Sequence, residues 1–127
     1  MKCKIDITSA TDVAAWVTRK AFYENVDEWD LGLREAKTIL DRYHSDWFRD
    51  STDGLRFTPP AFVFRDGFLM GINGRHRAIL LFRHMKAIPM LLAIPEIWPK
   101  EKFAEIALKR IEEDGVVELP DLPIQLF

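Results

Sequence analysis

Between Pro59 and Ile94 the chain is punctuated so closely that few local structures are open to it. Pro59-Pro60 sets an extended lead into residues 61–64, Asp66-Gly67 is a hairpin dipeptide, and residues 68–72 have the length and apolar content of a returning strand. Asn73-Gly74 follows directly. Residues 75–86 carry no strand punctuation, and Ala78, Ile79, Leu81, Phe82 and Met85 predict a buried helix. Pro89 marks a new element: residues 88–94 form a short apolar run suited to the interior of a sheet with a parallel neighbour, as a strand–helix–strand crossover requires.

The flanks are read by the same rules. Residues 2–7 suit an edge strand. Ser9 and Asp12 are spaced like a capping pair, and Val13, Trp16, Val17 and Lys20/Ala21 recur at helical spacing, which predicts a helix over 10–22. Residues 24–30 form an acidic connection. Asp30 is placed to cap a second helix, over 31–44, with Leu33, Ala36, Ile39, Leu40 and Tyr43 on one face. Residues 46–58 lose any period and read as a loop with a turn at Asp53-Gly54. Pro99 opens a last helix, 99–113, which Gly115 is placed to end, and the proline-spaced tail from Glu118 wraps the surface. The expected architecture is mixed α/β (α+β), one domain over residues 1–127. A small mixed β-sheet, with the 62–72 hairpin and the 88–94 strand at its centre, is covered by these helices.

Composition bounds the function. Apolar residues make up 48% of the chain, with four tryptophans and nine phenylalanines, enough to offset the chain entropy lost on folding. A net charge of −2 and a pI near 5.9 argue against coating nucleic acid over the whole surface, while a local basic site stays open. Cys3 is the only cysteine, so neither an internal disulfide nor a cysteine-rich metal site can form. The apolar runs at 78–82 and 88–94 fall far short of the roughly 20 residues that span a bilayer, and no signal-peptide pattern follows Met1. The expectation is a cytoplasmic protein without membrane contact.

The segment Gly71-Ile72-Asn73-Gly74-Arg75-His76-Arg77 puts basic and titratable side chains at the start of a helix. The first-turn amides of a helix have no intrahelical partner and its dipole adds positive potential there. Gly74 permits a left-handed backbone and the close approach of a phosphate, and the arginine fork fits phosphate oxygens. Basic residues in a first turn oppose the dipole, a mismatch that an anion would resolve. Asn73, Gly74, Arg75, His76 and Arg77 are therefore the candidate phosphate- or nucleotide-binding residues. The competing reading makes Asn73-Gly74 an ordinary turn whose arginines pair with some of the twenty carboxylates. His76 and His84 are eight apart in sequence and no metal-binding spacing is present, so no metal site is assigned.

The run from Pro60 to Leu81, with its Gly-Ile-Asn-Gly-Arg-His-Arg turn, followed by Ile88-Pro89-Met-Leu-Leu-Ala93, resembles the ParB/sulfiredoxin-like superfamily. That resemblance implies nucleoside triphosphate binding at Gly74, Arg75, His76 and Arg77, with Mg2+ as a possible companion ion. It does not carry every family activity. Sulfiredoxins have a cysteine where this chain has Arg75, and partition ParB proteins have a glutamate there and a downstream DNA-reading domain, for which the stretch after Ile97 is too short. The resemblance therefore implies a minimal stand-alone domain of the kind found in phages and plasmids. An upstream carboxylate for NTPase or phosphotransfer chemistry is not assigned by it, which leaves turnover open.

Two further functional readings stand beside this one. A non-enzymatic inhibitor from a mobile element would bind a partner protein through Asp27, Glu28, Trp29 and Asp30, with Trp29 as anchor. A DNA nuclease is the other, and the net negative charge disfavours it.

Overall fold

The computed structural model describes residues 1–27 and 41–125, a mixed α+β arrangement of strands β1 to β11 and helices α1 to α3. The hairpin and crossover form as expected. β6 (Ala61–Arg65) turns at Asp66 and Gly67, both at positive φ (56° and 88°), into β7 (Phe68–Asn73). Such a pair of left-handed residues matches the twist of the two strands. Helix α2 (Arg75–His84) then crosses to β8 (Ala87–Leu92), which lies parallel to β6. β8 is buried along nearly its whole length, because a strand covered on both faces has no solvent side to make polar.

The other neighbour of β8 corrects the first expected helix. Residues 13–18 form β2 (Val13–Thr18), paired antiparallel with β8 from Val13↔Leu92 to Thr18↔Ala87. Ala14, Ala15 and Val17 are all buried, so both faces of the strand are apolar and the sequence shows no period-two alternation. Ser9 and Asp12 form a turn, with the Asp12 amide donating to the Ser9 carbonyl at 3.0 Å. The helix is displaced to α1 (Arg19–Asn25), capped by Thr18, whose hydroxyl accepts from the Ala21 amide. The five-stranded sheet runs β7-β6-β8-β2-β9, where β9 is the short edge strand Lys109–Arg110. Phe22 of α1 packs edge-on to Phe62 and obliquely on Phe82 at 4.9 Å, joining α1, α2 and the sheet.

The expected last helix is shortened for a related reason. α3 (Lys100–Ile106) follows Pro99 but stops well before residue 113, and β9 (Lys109–Arg110) pairs with β2 instead. Leu108 and Ile111 amides donate to the carbonyls of Trp16 and Ala14, satisfying an otherwise open sheet edge. Gly115 sits in the turn before β10 (Val116–Glu118), not at a helix end.

Residues 46–58, expected as a loop, hold a 3-10 turn (Ser45–Trp47) and a hairpin of β4 (Phe48–Ser51) and β5 (Gly54–Phe57). The Asp53-Gly54 turn is present; the strands beside it are polar on one side and too short to show alternation. β5 pairs in parallel with β1 (Lys2–Ile5), giving a second sheet of order β10-β1-β5-β4. β1 is therefore interior, not an edge. Of the expected helix 31–44, residues 31–40 lie outside the described residues, and Tyr43–His44 is a strand, β3, paired with β11 (Ile124–Gln125) of the tail. One hydrophobic cluster, from Cys3 and Ile5 through Phe57 and Val117 to Phe62, Leu81 and Met90, runs through both larger sheets. No helix among the described residues is long and apolar enough to cross a membrane.

Candidate functional site

The end of β7 and the first turn of α2 meet at Gly74, which adopts φ 88°, ψ 29° and caps the helix without a side-chain hydrogen bond. Its first turn holds no acidic residue, and Arg75, His76 and Arg77 stand in it. The two glycines of the segment each make room for one arginine. A Cβ on Gly71 would lie 2.7 Å from Cγ of Arg75, whose guanidinium donates back to the Gly71 carbonyl at 2.7 Å. A Cβ on Gly74 would lie 2.6 Å from Nη2 of Arg77. The spacing in Gly-Ile-Asn-Gly-Arg-His-Arg thus folds both long cations back against the backbone.

Arg77 is the unusual member. It is only 5% exposed, its Nη1 donates to the Thr58 carbonyl at 2.6 Å, and its guanidinium lies 5.8 Å from the centre of the Trp47 ring. Its Nε finds no acceptor, and among the described residues no carboxylate pairs with it. Burial pushes the guanidinium down to about 10 from its ordinary value, which still leaves it charged at neutral pH. A buried cation without a counter-ion costs several kcal/mol of solvation, so the charge calls for an anion.

A depression of about 250 Å³ opens over this group, lined by Trp47 and residues 72–77. It brings together all five sequence-predicted residues: Asn73 and His76 exposed at the rim, Gly74 and Arg75 half-buried, Arg77 at the wall. Trp47 and the Thr58 carbonyl were not legible as site residues. Trp47 arrives from the 3-10 turn at the other end of the 46–58 segment, and nothing in its neighbours marks it. Thr58 is fixed by its amide, which donates to the Trp47 carbonyl at 2.9 Å, so these two residues position each other and, through them, Arg77.

The expected partner-contact segment is mostly not comparable. Glu28, Trp29 and Asp30 lie outside the described residues, and the Asp27 amide donates to the Leu69 carbonyl on the outer edge of β7. His44 accepts from the Asp46 amide and packs on the Trp47 ring at 5.9 Å, and His84 bonds Asp41; neither lines the depression. Among the described residues no group of three or more His, Cys, Asp or Glu side chains is placed to hold a metal ion.

The fold and site define an α+β protein with a basic, glycine-capped helix N-terminus set between sheet and hairpin. No family model, curated protein or solved structure matches the chain.

Proposed function

We propose that this chain binds phosphate groups at the α2 N-terminus, with nucleotides as the ligand class, in the manner of a minimal ParB/sulfiredoxin-like domain. The observation that carries the reading is Arg77: a buried guanidinium with an unpartnered Nε and, among the described residues, no carboxylate, beside a helix start whose N-cap, Gly74, has no side chain to cap it. An anion seated in the depression lies at the positive end of the α2 dipole and gives Arg77 a counter-charge in the same place. Arg75 and His76 stand beside it, and the Trp47 ring, which also lines the depression, lies 5.8 Å from the guanidinium. The order hairpin, glycine turn, basic helix, parallel strand supports the family reading, since β6 and β8 are parallel neighbours joined through α2.

The test is a thermal-shift series with pyrophosphate, ATP, GTP and CTP, with and without magnesium, on the wild type and Arg77→Met. A ligand at a hundred times its Kd should stabilise the wild type by about 2.7 kcal/mol. Arg77→Met should weaken binding by about 1.5–3 kcal/mol, the range for a hydrogen bond to a charged group, and the loss should shrink at high salt. If no phosphate compound shifts the wild type, or if Arg77→Met binds as the wild type does, the reading fails.

A further inference from the structure

A second concavity of about 400 Å³ adjoins the anion site and shares Ile72 and Asn73 with it. Thr58, whose carbonyl holds Arg77, lines it as well. Its two walls differ in chemistry. One is the turn before β2, with the hydroxyls of Ser9 and Thr11 in mutual contact at 3.0 Å and the half-buried carboxylate of Asp12. The other is apolar and is built from two backbone irregularities. The β6–β7 register passes from Phe62↔Gly71 to Ala61↔Asn73, so Ile72 is the extra residue of a β-bulge, and it is 55% exposed. Ile94, 40% exposed, holds φ 51°, a left-handed angle that a β-branched residue rarely adopts. Bulges and strained residues of this kind gather where a side chain must be aimed at a ligand.

Asp12 gives the groove its chemistry. Among the described residues no cation or hydrogen-bond donor reaches its side chain, and burial alone raises its carboxyl above the ordinary value. A half-buried carboxylate in that position is open to donors from outside the protein, whether water or a ligand. Ammonium groups would supply them, but the adjoining site is cationic and selects ligands that carry negative charge. Neutral hydroxyls on a phosphorylated compound satisfy both halves: a carboxylate accepts from a vicinal diol as it does from the ribose of bound dinucleotides. The carbon face of such a sugar is apolar enough to lie between Ile72 and Ile94.

We infer that this groove is the subsite for the sugar of a sugar phosphate, with Asp12 accepting from its vicinal diol while the phosphate sits at Arg77. This rests on the phosphate-binding reading and names the substrate class of the same site. Calorimetric titration with inorganic phosphate, ribose 5-phosphate, 2-deoxyribose 5-phosphate and AMP tests it on the wild type, Asp12→Ala and Asp12→Asn, each verified as folded by circular dichroism. Ribose 5-phosphate should bind the wild type about tenfold or more tighter than phosphate, as a hydrogen bond to a charged group allows, and the deoxy sugar should lose most of that gain. Both Asp12 variants should bring ribose 5-phosphate down towards phosphate while leaving phosphate affinity unchanged. AMP tighter than ribose 5-phosphate identifies a nucleotide as the source of the sugar; equal affinity identifies a free sugar phosphate. If phosphate binds with full dependence on Arg77 but ribose adds nothing, or if the Asp12 variants bind ribose 5-phosphate as the wild type does, the sugar subsite is wrong and the phosphate site stands. If neither phosphate nor sugar phosphate binds, both are overturned.

Discussion

Arg77 decides between two kinds of arginine, one structural and one held for a ligand. A structural arginine in a buried ion pair costs about 3–5 kcal/mol when removed, because its carboxylate is stranded. Here, among the described residues, no carboxylate is paired with it. The sign follows from the depressed basicity: a base whose folded pKa is lowered has its charged form disfavoured by folding, so at neutral pH the charge subtracts from stability. Arg77→Met keeps much of the packing against Trp47, removes that penalty and forfeits the bond to Thr58, worth about 1 kcal/mol. The ligand-free variant should therefore unfold in urea at a midpoint equal to or above the wild type's. The glycines offer a second residue-level test. Gly74→Ala places a Cβ at φ 88° against Arg77, whose guanidinium is fixed, and should cost about 1–2 kcal/mol or more together with ligand binding. Gly71→Ala meets only the flexible Arg75 side chain and should cost less than half as much. Equal losses would show that the left-handed angle at Gly74 is not what the site depends on.

At the level of elements, α2 carries the site because its inner face is core. Ala78, Ile79, Leu80, Leu81 and Phe82 are all nearly inaccessible, and Phe82 packs on Phe22 and Tyr23 of α1. Leu81→Ala or Phe82→Ala should each cost on the order of 2–5 kcal/mol, since a helix held between sheet and α1 cannot relax fully into the cavity. A denaturant midpoint shift equivalent to less than about 1 kcal/mol at both positions would contradict this burial. The helix was legible because it is flanked by glycine and proline and carries a long apolar stripe. β2 was not: with both faces buried, Val13-Ala-Ala-Trp-Val17 satisfies a helical spacing as well as a strand, and only pairing with β8 separates them.

The whole molecule couples its two larger sheets through one core, while an ion-pair cluster in which Arg56 bridges Asp53, Asp114 and Asp6 ties together the strands and turns of the four-stranded sheet. Hydrogen bonds from Ser51, Lys4 and Arg56 hold the Asp53 carboxyl well below the usual carboxylate range. A depressed acid contributes stability above its unfolded pKa and loses it as pH falls, so acid unfolding should begin below about pH 4, and Asp53→Asn should flatten that limb. At the other end, burial pushes the Cys3 thiol up to about 11. That stability is complete below the ordinary thiol value and is lost as pH rises through 11, and native Cys3 should stay unreactive toward a thiol reagent at pH 8 until the chain is unfolded. Rapid labelling of the native protein would show the first sheet to be open.

By itself the sequence determined the order of elements from Pro59 to Leu92, the start of α2 (the helix itself stops at His84, two residues short of the expected end), the Asp66-Gly67 and Asp53-Gly54 turns, the mixed α+β class, and the run of residues that meets at the α2 N-terminus. All of these rest on local causes: a glycine's freedom at positive φ, proline's missing donor, an apolar stripe longer than a strand. The tertiary structure decided what depends on a partner far along the chain. It made residues 13–18 a strand because β8 and β9 lie on either side, ended α3 at Ile106 because the edge of β2 needed hydrogen bonds, and set Trp47 and Thr58 beside Arg77. It also left Arg77 without a carboxylate among the described residues and brought Asp12 into one groove with Ile72 and Ile94. Which charge goes unpaired in a buried place depends on every neighbour the fold supplies, and no local pattern encodes that.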